Sequence, residues 1–185
     1  MGHGLPNSYK GGKARHNFSL ACHHTIGPRH MIVPITPQHA AYVCANLSDW
    51  VLRDVSAAHL LGDHEKFTEI LCAEIDNSIG YGYALTRDGV PIGVGGVEPL
   101  HRGVMYLWAL HTDRYKEAEH EYARVARRAI AHVLSLPTCH RVQLVTAAER
   151  DQSHRWLKMV GLKYESTLVK FGRNGEDYHM YAGVN

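Results

Sequence analysis

Apolar positions recur along the chain with two different periods, and the alternation between them divides it into elements. Met31 to Thr36 reads as a first strand. Thr36 is placed to cap the helix that follows, with Pro37 at its first position, where a missing N–H costs nothing. That helix runs through Ala40, Ala41, Val43, Cys44 and Leu47; a second is predicted over Asp49 to Leu61, and a third over His64 to Ile75. In the third, Phe67, Ile70, Leu71 and Glu74 to Ile75 form one predominantly apolar face. Tyr81 to Thr86 and Val90 to Val97 then flank Arg87-Asp88-Gly89, and Asp-Gly between apolar runs predicts a hairpin.

The second half continues in the same way. Val104 to Thr112 is a strand whose centre, Met105 to Leu110, is almost wholly apolar, the pattern of a central strand buried on both faces. A turn (Asp113 to Lys116) leads into a long helix with Tyr122, Val125, Ala126, Ala129, Ile130, Val133 and Leu134 on one face, and Pro137 stops it. That stripe is core rather than a ligand box. Arg141 to Ala147 is a strand, Asp151 to Val160 a helix closed by Gly161, and Lys163 to Lys170 with Tyr178 to Val184 a last hairpin turning at Arg173-Asn174-Gly175-Glu176.

Composition changes this picture at one end. The 185 residues are 45% hydrophobic, ample for one core. No apolar run reaches the roughly 18 residues of a membrane span, and no signal-peptide core is visible, so the chain is expected to be soluble. Residues 1–48 contain Lys10, Lys13, Arg15 and Arg29 and no carboxylate before Asp49. Residues 1–30, rich in Gly, His, Asn and Ser, therefore read as a basic arm ahead of a domain at 31–185, with an acidic surface or another protein subunit as the arm's partner. Nucleic acid is a less favoured partner, since only Tyr9 and Phe18 offer stacking faces. Cys22, Cys44, Cys72 and Cys139 are scattered without a C-x-x-C pair, as expected of reduced thiols. The one dense histidine cluster, Cys22-His23-His24 with His16 or His30, lacks the paired spacing of a zinc site, and no metal is expected.

Strand, helices, antiparallel strands, helix, strand, helix and hairpin is an order that resembles the GNAT N-acetyltransferases over about residues 31–184. Arg150-Asp151-Gln152-Ser153-His154-Arg155-Trp156-Leu157-Lys158-Met159-Val160-Gly161-Leu162 is similar to that family's second cofactor helix, matching it at Ser153, Trp156 and Gly161. The resemblance implies an α/β (α+β) fold with a mixed, mostly antiparallel central sheet flanked by helices. It also implies acetyl-CoA as cofactor, held by Leu110, Thr112, Arg114, Ala118 and Glu119. The family's strand-to-helix turn usually has glycines where this chain has Glu117 and Glu119, whose carboxylates are expected to repel a pyrophosphate. Leu157 stands where many members have a tyrosine that protonates the leaving thiolate. Tyr164 is a substitute only if its strand brings it to the sulfur; Glu98, His101 and His111 are bases in name, each with a simpler reading as a strand-end or loop residue.

These departures favour a GNAT-fold structural protein with a degenerate acyl-CoA site and no acetyl transfer. The Arg155-Trp156-Leu157-Lys158 to Gly161 helix and the hairpin after it look like those of GNAT-like internal virion proteins of short-tailed bacteriophages. That likeness implies location in a virion, or else the host cytoplasm, with residues 1–30 anchoring the chain to other virion or assembly proteins in an oligomer. The alternative is an acetyl-CoA-dependent N-acetyltransferase with an unorthodox cofactor loop.

Overall fold

The computed structural model describes residues 24–25, 30–58, 64–76 and 81–185. The arm is outside the described residues except at its end, where β1 (His24–Thr25) pairs antiparallel with β2 (His30–Pro34). His16, Cys22 and His23 of the histidine cluster, and with them the partner role given to residues 1–30, lie outside the described residues. Helices α1 (Pro37–Ala45), α2 (Asp49–Ala58) and α3 (His64–Asp76) follow, then strands β3 (Tyr81–Arg87), β4 (Val90–His101) and β5 (Gly103–His111). A 3-10 turn (Asp113–Glu117) leads to α4 (Glu119–Ser135), β6 (Cys139–Ala147), α5 (Asp151–Met159), β7 (Lys163–Leu168) and β8 (Tyr178–Val184).

Local chemistry explains most of these boundaries. The Thr36 hydroxyl accepts from the His39 N–H at 3.3 Å while His39 Nδ1 accepts from the Thr36 N–H at 3.2 Å, a reciprocal cap that starts α1 at Pro37. Asp88 and Gly89, at φ 50° and 78°, make the predicted hairpin turn. Gly161 takes φ 94° to end α5, a conformation a side chain would oppose.

The strands form one mixed sheet in the order β1-β2-β3-β4-β5-β6-β8-β7, antiparallel everywhere except between β5 and β6. On one side Val43, Cys44, Val51 and Leu71 from α1 to α3 pack with Ala84, Val94 and Leu110. On the other, Ile130, Val133 and Leu157 from α4 and α5 pack with Val97, Leu107, Val142 and Tyr181. No helix among the described residues is long and apolar enough to cross a membrane.

Two expectations are corrected here. β4 does not exit at Glu98-Pro99; it runs on to His101, with an irregularity between Pro99 and His101, so Glu98 is a strand residue paired with Tyr106. Nor is β5 buried on both faces. Ala109 is exposed and Tyr106 and Trp108 are only half-buried, because β5 and β6 pair from Gly103↔Cys139 to Tyr106↔Gln143 and then part. Past that point β5 continues along β4 to His111 and β6 along β8 to Ala147, which opens a wedge between them.

Candidate active site

The wedge continues into a cleft of about 230 Å³ between the α1–α3 and α4–α5 sides of the molecule. Parallel strands that separate at their C-terminal ends expose the N–H and C=O groups of the facing edges, and buried backbone groups need partners. Both following helices begin at this same end. Neither α4, at Ala118, nor α5, at Arg150, has a side chain bonded to its first amides, so both helix N-termini are uncapped by side chains.

Glu98 and Tyr106 stand at the narrow end of the wedge, directly opposite one another across β4 and β5. The Tyr106 hydroxyl accepts a hydrogen bond from the Val145 N–H of β6, which leaves its own proton free to donate. Burial raises its pKa, so it stays protonated at neutral pH. Burial and the nearby Glu74 carboxylate raise the pKa of Glu98, in that order, which makes it a better proton acceptor than an exposed glutamate.

His111, at the other end of the free β5 segment, lies about 16 Å of extended chain away from Tyr106. It is held between Trp50 (ring centroids 4.3 Å apart) and Tyr115 (4.4 Å, stacked). Its Nδ1 is 3.1 Å from the Thr112 carbonyl, which can only accept, so that nitrogen carries the proton. Burial lowers its pKa to about 4, and it is neutral at physiological pH. Arg150 also lines the cleft. Its guanidinium pairs with Asp54 and stacks 3.5 Å over the Trp50 ring, tying α2 to the start of α5.

Of the two glutamates of the cofactor turn, one is neutralised by pairing. Glu117 does not face an anion site unpaired: it pairs with Arg87 at the end of β3, and Arg114 Nε approaches it to 3.6 Å. The repulsion expected from Glu117 is thus offset by two guanidinium groups. Glu119 lies in the first turn of α4, where a carboxylate favours the helix dipole, and lines the cleft.

Of the residues predicted to hold a cofactor, Leu110 and Glu119 line the cleft. Thr112 instead donates its hydroxyl to the Ile92 carbonyl at 3.2 Å, Ala118 is fully buried beneath the α4 start, and Arg114 is turned to Glu117. His111 and Glu98 line the cleft and His101 does not; His101 is exposed beyond the narrow end. Tyr164 cannot replace the missing tyrosine. It is exposed on β7, bonded to the Thr167 hydroxyl at 2.9 Å and packed on His179, away from the cleft. Ser153 and Leu157 both line the cleft one helical turn apart.

Sequence reasoning passed over Tyr106, Glu74 and Asp54. The last two had a signal: each is a carboxylate on an otherwise apolar helix face, Asp54 between Val51 and Val55, Glu74 three residues past Leu71. Among the described residues no group of three His, Cys, Asp or Glu side chains is arranged to hold a metal.

No protein-family model and no curated protein matches the sequence. Solved structures do. The ribosomal L7/L12 alpha-N-protein acetyltransferase RimL, in complex with coenzyme A, superposes with TM-score 0.66 at 10% identity over 86% of this chain and 96% of that one. Microcin C7 self immunity acetyltransferase MccE, in complex with acetyl-CoA and AMP, gives 0.65 at 10% identity over 86% and 94%. An acetyltransferase of the GNAT family from Streptococcus pneumoniae gives 0.61 at 15% identity over 84% and 99%. At these identities the likeness establishes the fold, which is that of the GNAT acetyltransferases. It lends no support to the resemblance to phage virion proteins.

Proposed function

We propose that this chain is an acyl-CoA-dependent N-acyltransferase, with acetyl-CoA as the simplest donor; the reading as a virion structural protein with a dead site is set aside. The observation that carries the proposal is the open wedge between β5 and β6, with two uncapped helix N-termini at its wide end and Glu98 and Tyr106 at its narrow end. Polar groups whose acidity is raised by burial and that gather in one cleft are the kind that acid–base chemistry uses. The fit to the donor is direct: the α4 N-terminus suits a pyrophosphate, and the free edges of β5 and β6 suit an arm that carries its own amides. Structures of the same fold bound to coenzyme A and acetyl-CoA support this reading.

The donor supplies an acyl group activated as a thioester. The residues of the chain supply the proton movements. Glu98 takes a proton from the acceptor ammonium, so that the nitrogen lone pair forms the new C–N bond as the C–S bond breaks. Tyr106, in place of the tyrosine that Leu157 lacks, gives its hydroxyl proton to the leaving sulfur and regains one from solvent as the nitrogen loses its second proton. His111 is a poorer base, because a group with a pKa of about 4 holds a proton weakly at neutral pH.

Replacing Tyr106 by Phe tests the assignment. The variant is expected to lose about a hundredfold in kcat with the KM for acetyl-CoA little changed. A thioester of a more acidic thiol, which needs no proton on leaving, should restore most of that loss. Equal losses with both thioesters would remove Tyr106 from the role.

A further inference from the structure

The helices on the two sides of the sheet differ in surface charge. The exposed faces of α4 and α5, which pack together on one side, carry Arg124, Arg127, Arg128, Arg155 and Lys158 against a single exposed carboxylate, Asp151. The described residues of α1 to α3 instead expose Asp49, Glu65 and Glu69 with Arg53 and Lys66. The overall charge of +2 therefore conceals one strongly positive face.

None of these five cations forms an ion pair among the described residues, whereas Arg87, Arg141 and Arg150 each do. Helix stability does not explain them either. Arg124 lies one turn from both Arg127 and Arg128, spacings at which like charges repel, and all three precede the last turn, where the helix dipole would favour a cation. An exposed face built for stability alone would set acids against bases at those spacings.

The rest of the face indicates what kind of anion fits it. Apart from Ala131 and Met159, no apolar side chain of α4 or α5 is exposed. A protein partner would be gripped through an apolar or aromatic centre, which this face lacks. A phosphate backbone needs only cations, and one guanidinium meets two phosphate oxygens at once. Neither helix exposes an aromatic ring on which a base could stack, so a duplex fits better than a single strand. The five cations can only donate, so among the charged groups Asp151 alone could take the proton of a ribose 2′-hydroxyl, the group that marks RNA.

We propose that the outer face of α4 and α5 docks on the phosphate backbone of duplex DNA without reading its sequence. Two helices side by side make a surface about 20 Å across, broader than a major groove of about 12 Å, so contact falls on the backbone rather than on base edges. None of the five cations lines the cleft, and this binding does not depend on acyl transfer.

The test is fluorescence anisotropy of the whole protein, without acyl donor, using a labelled DNA duplex of about 24 base pairs and arbitrary sequence, from about 50 to about 200 mM salt. Binding is expected near micromolar at the lowest salt, with log K falling against log salt at a slope of about −4.5, as for about five phosphate contacts. Arg124→Gln, Arg127→Gln and Arg128→Gln together should weaken it by about tenfold or more and reduce the slope by about 2.7. Arg53→Gln, on the opposite side of the sheet, should change neither. Absence of saturable binding at the lowest salt would overturn the proposal, as would undiminished binding by the folded triple variant, which would assign it to the basic residues 1–30. An RNA duplex of the same sequence bound about tenfold more tightly would overturn the choice of DNA. Poly-glutamate that competes as well, charge for charge, as unlabelled duplex would make the partner an acidic protein instead.

Discussion

Glu98→Gln is expected to reduce kcat/KM for acyl transfer by about a thousandfold while leaving acetyl-CoA binding unchanged. The amide is nearly isosteric, so the strand pair with Tyr106 and the shape of the cleft persist and only the proton acceptor is lost. Because the pKa of Glu98 is raised by burial and by Glu74, activity in the unsubstituted protein should fall on acidification at a higher pH than an ordinary glutamate would dictate. The variant's residual rate should lack that acid limb. Rate measurements across pH with saturating donor distinguish this from simple damage to the site, which would lower the profile without changing its shape.

His111 should make stability fall steeply in mild acid. Its pKa is about 4 in the folded protein against 6.5 when free, so the unfolded chain binds the proton more readily. The group's contribution is intact above pH 6.5, declines as the pH falls from 6.5 toward 4, and is gone below that. The difference of about 2.5 units corresponds to about 3 kcal/mol. Asp113 and Lys116, the charged neighbours that influence it, act in opposite directions, and desolvation between Trp50 and Tyr115 outweighs both. Replacing His111 by Phe keeps an aromatic ring between those two and removes the titration. Urea unfolding of the pair at pH 7 and pH 4.5 should show the unsubstituted protein losing about 2 to 3 kcal/mol more than the variant. Equal losses would mean that His111 is solvated in the folded state.

How far the sequence could be read depends on the range of the interaction involved. Thr36-Pro37, Asp88-Gly89 and Gly161 mark boundaries because a cap, a hairpin turn and a left-handed residue are local requirements, and each is found where the residues put it. The apolar stripe of α4 likewise predicts its buried face. The wedge was hidden for the opposite reason. An apolar run such as Met105 to Leu110 reads the same whether a partner strand stays alongside or departs, and only the presence of Tyr106 and Trp108 within it hints at polar company.

Charge was misread for a similar reason. From the sequence Glu117 appeared to stand in the way of a phosphate, but its partner Arg87 is thirty positions earlier, on β3, and only the sheet brings the two together. Arg150 finds Asp54 ninety-six residues away. Glu74 could have been noticed, since a carboxylate on the apolar face of a helix needs a reason. Tyr164 shows the reverse limit: it has the right side chain at an expected kind of position, and the fold turns it outward.

The measurement that bears most directly on this account is a calorimetric titration of the purified protein with acetyl-CoA. A dissociation constant in the micromolar range is predicted, because Glu117 is neutralised and the wedge is open. No detectable binding up to millimolar acetyl-CoA would contradict it, and with it the reading of the cleft as an acyl-transfer site.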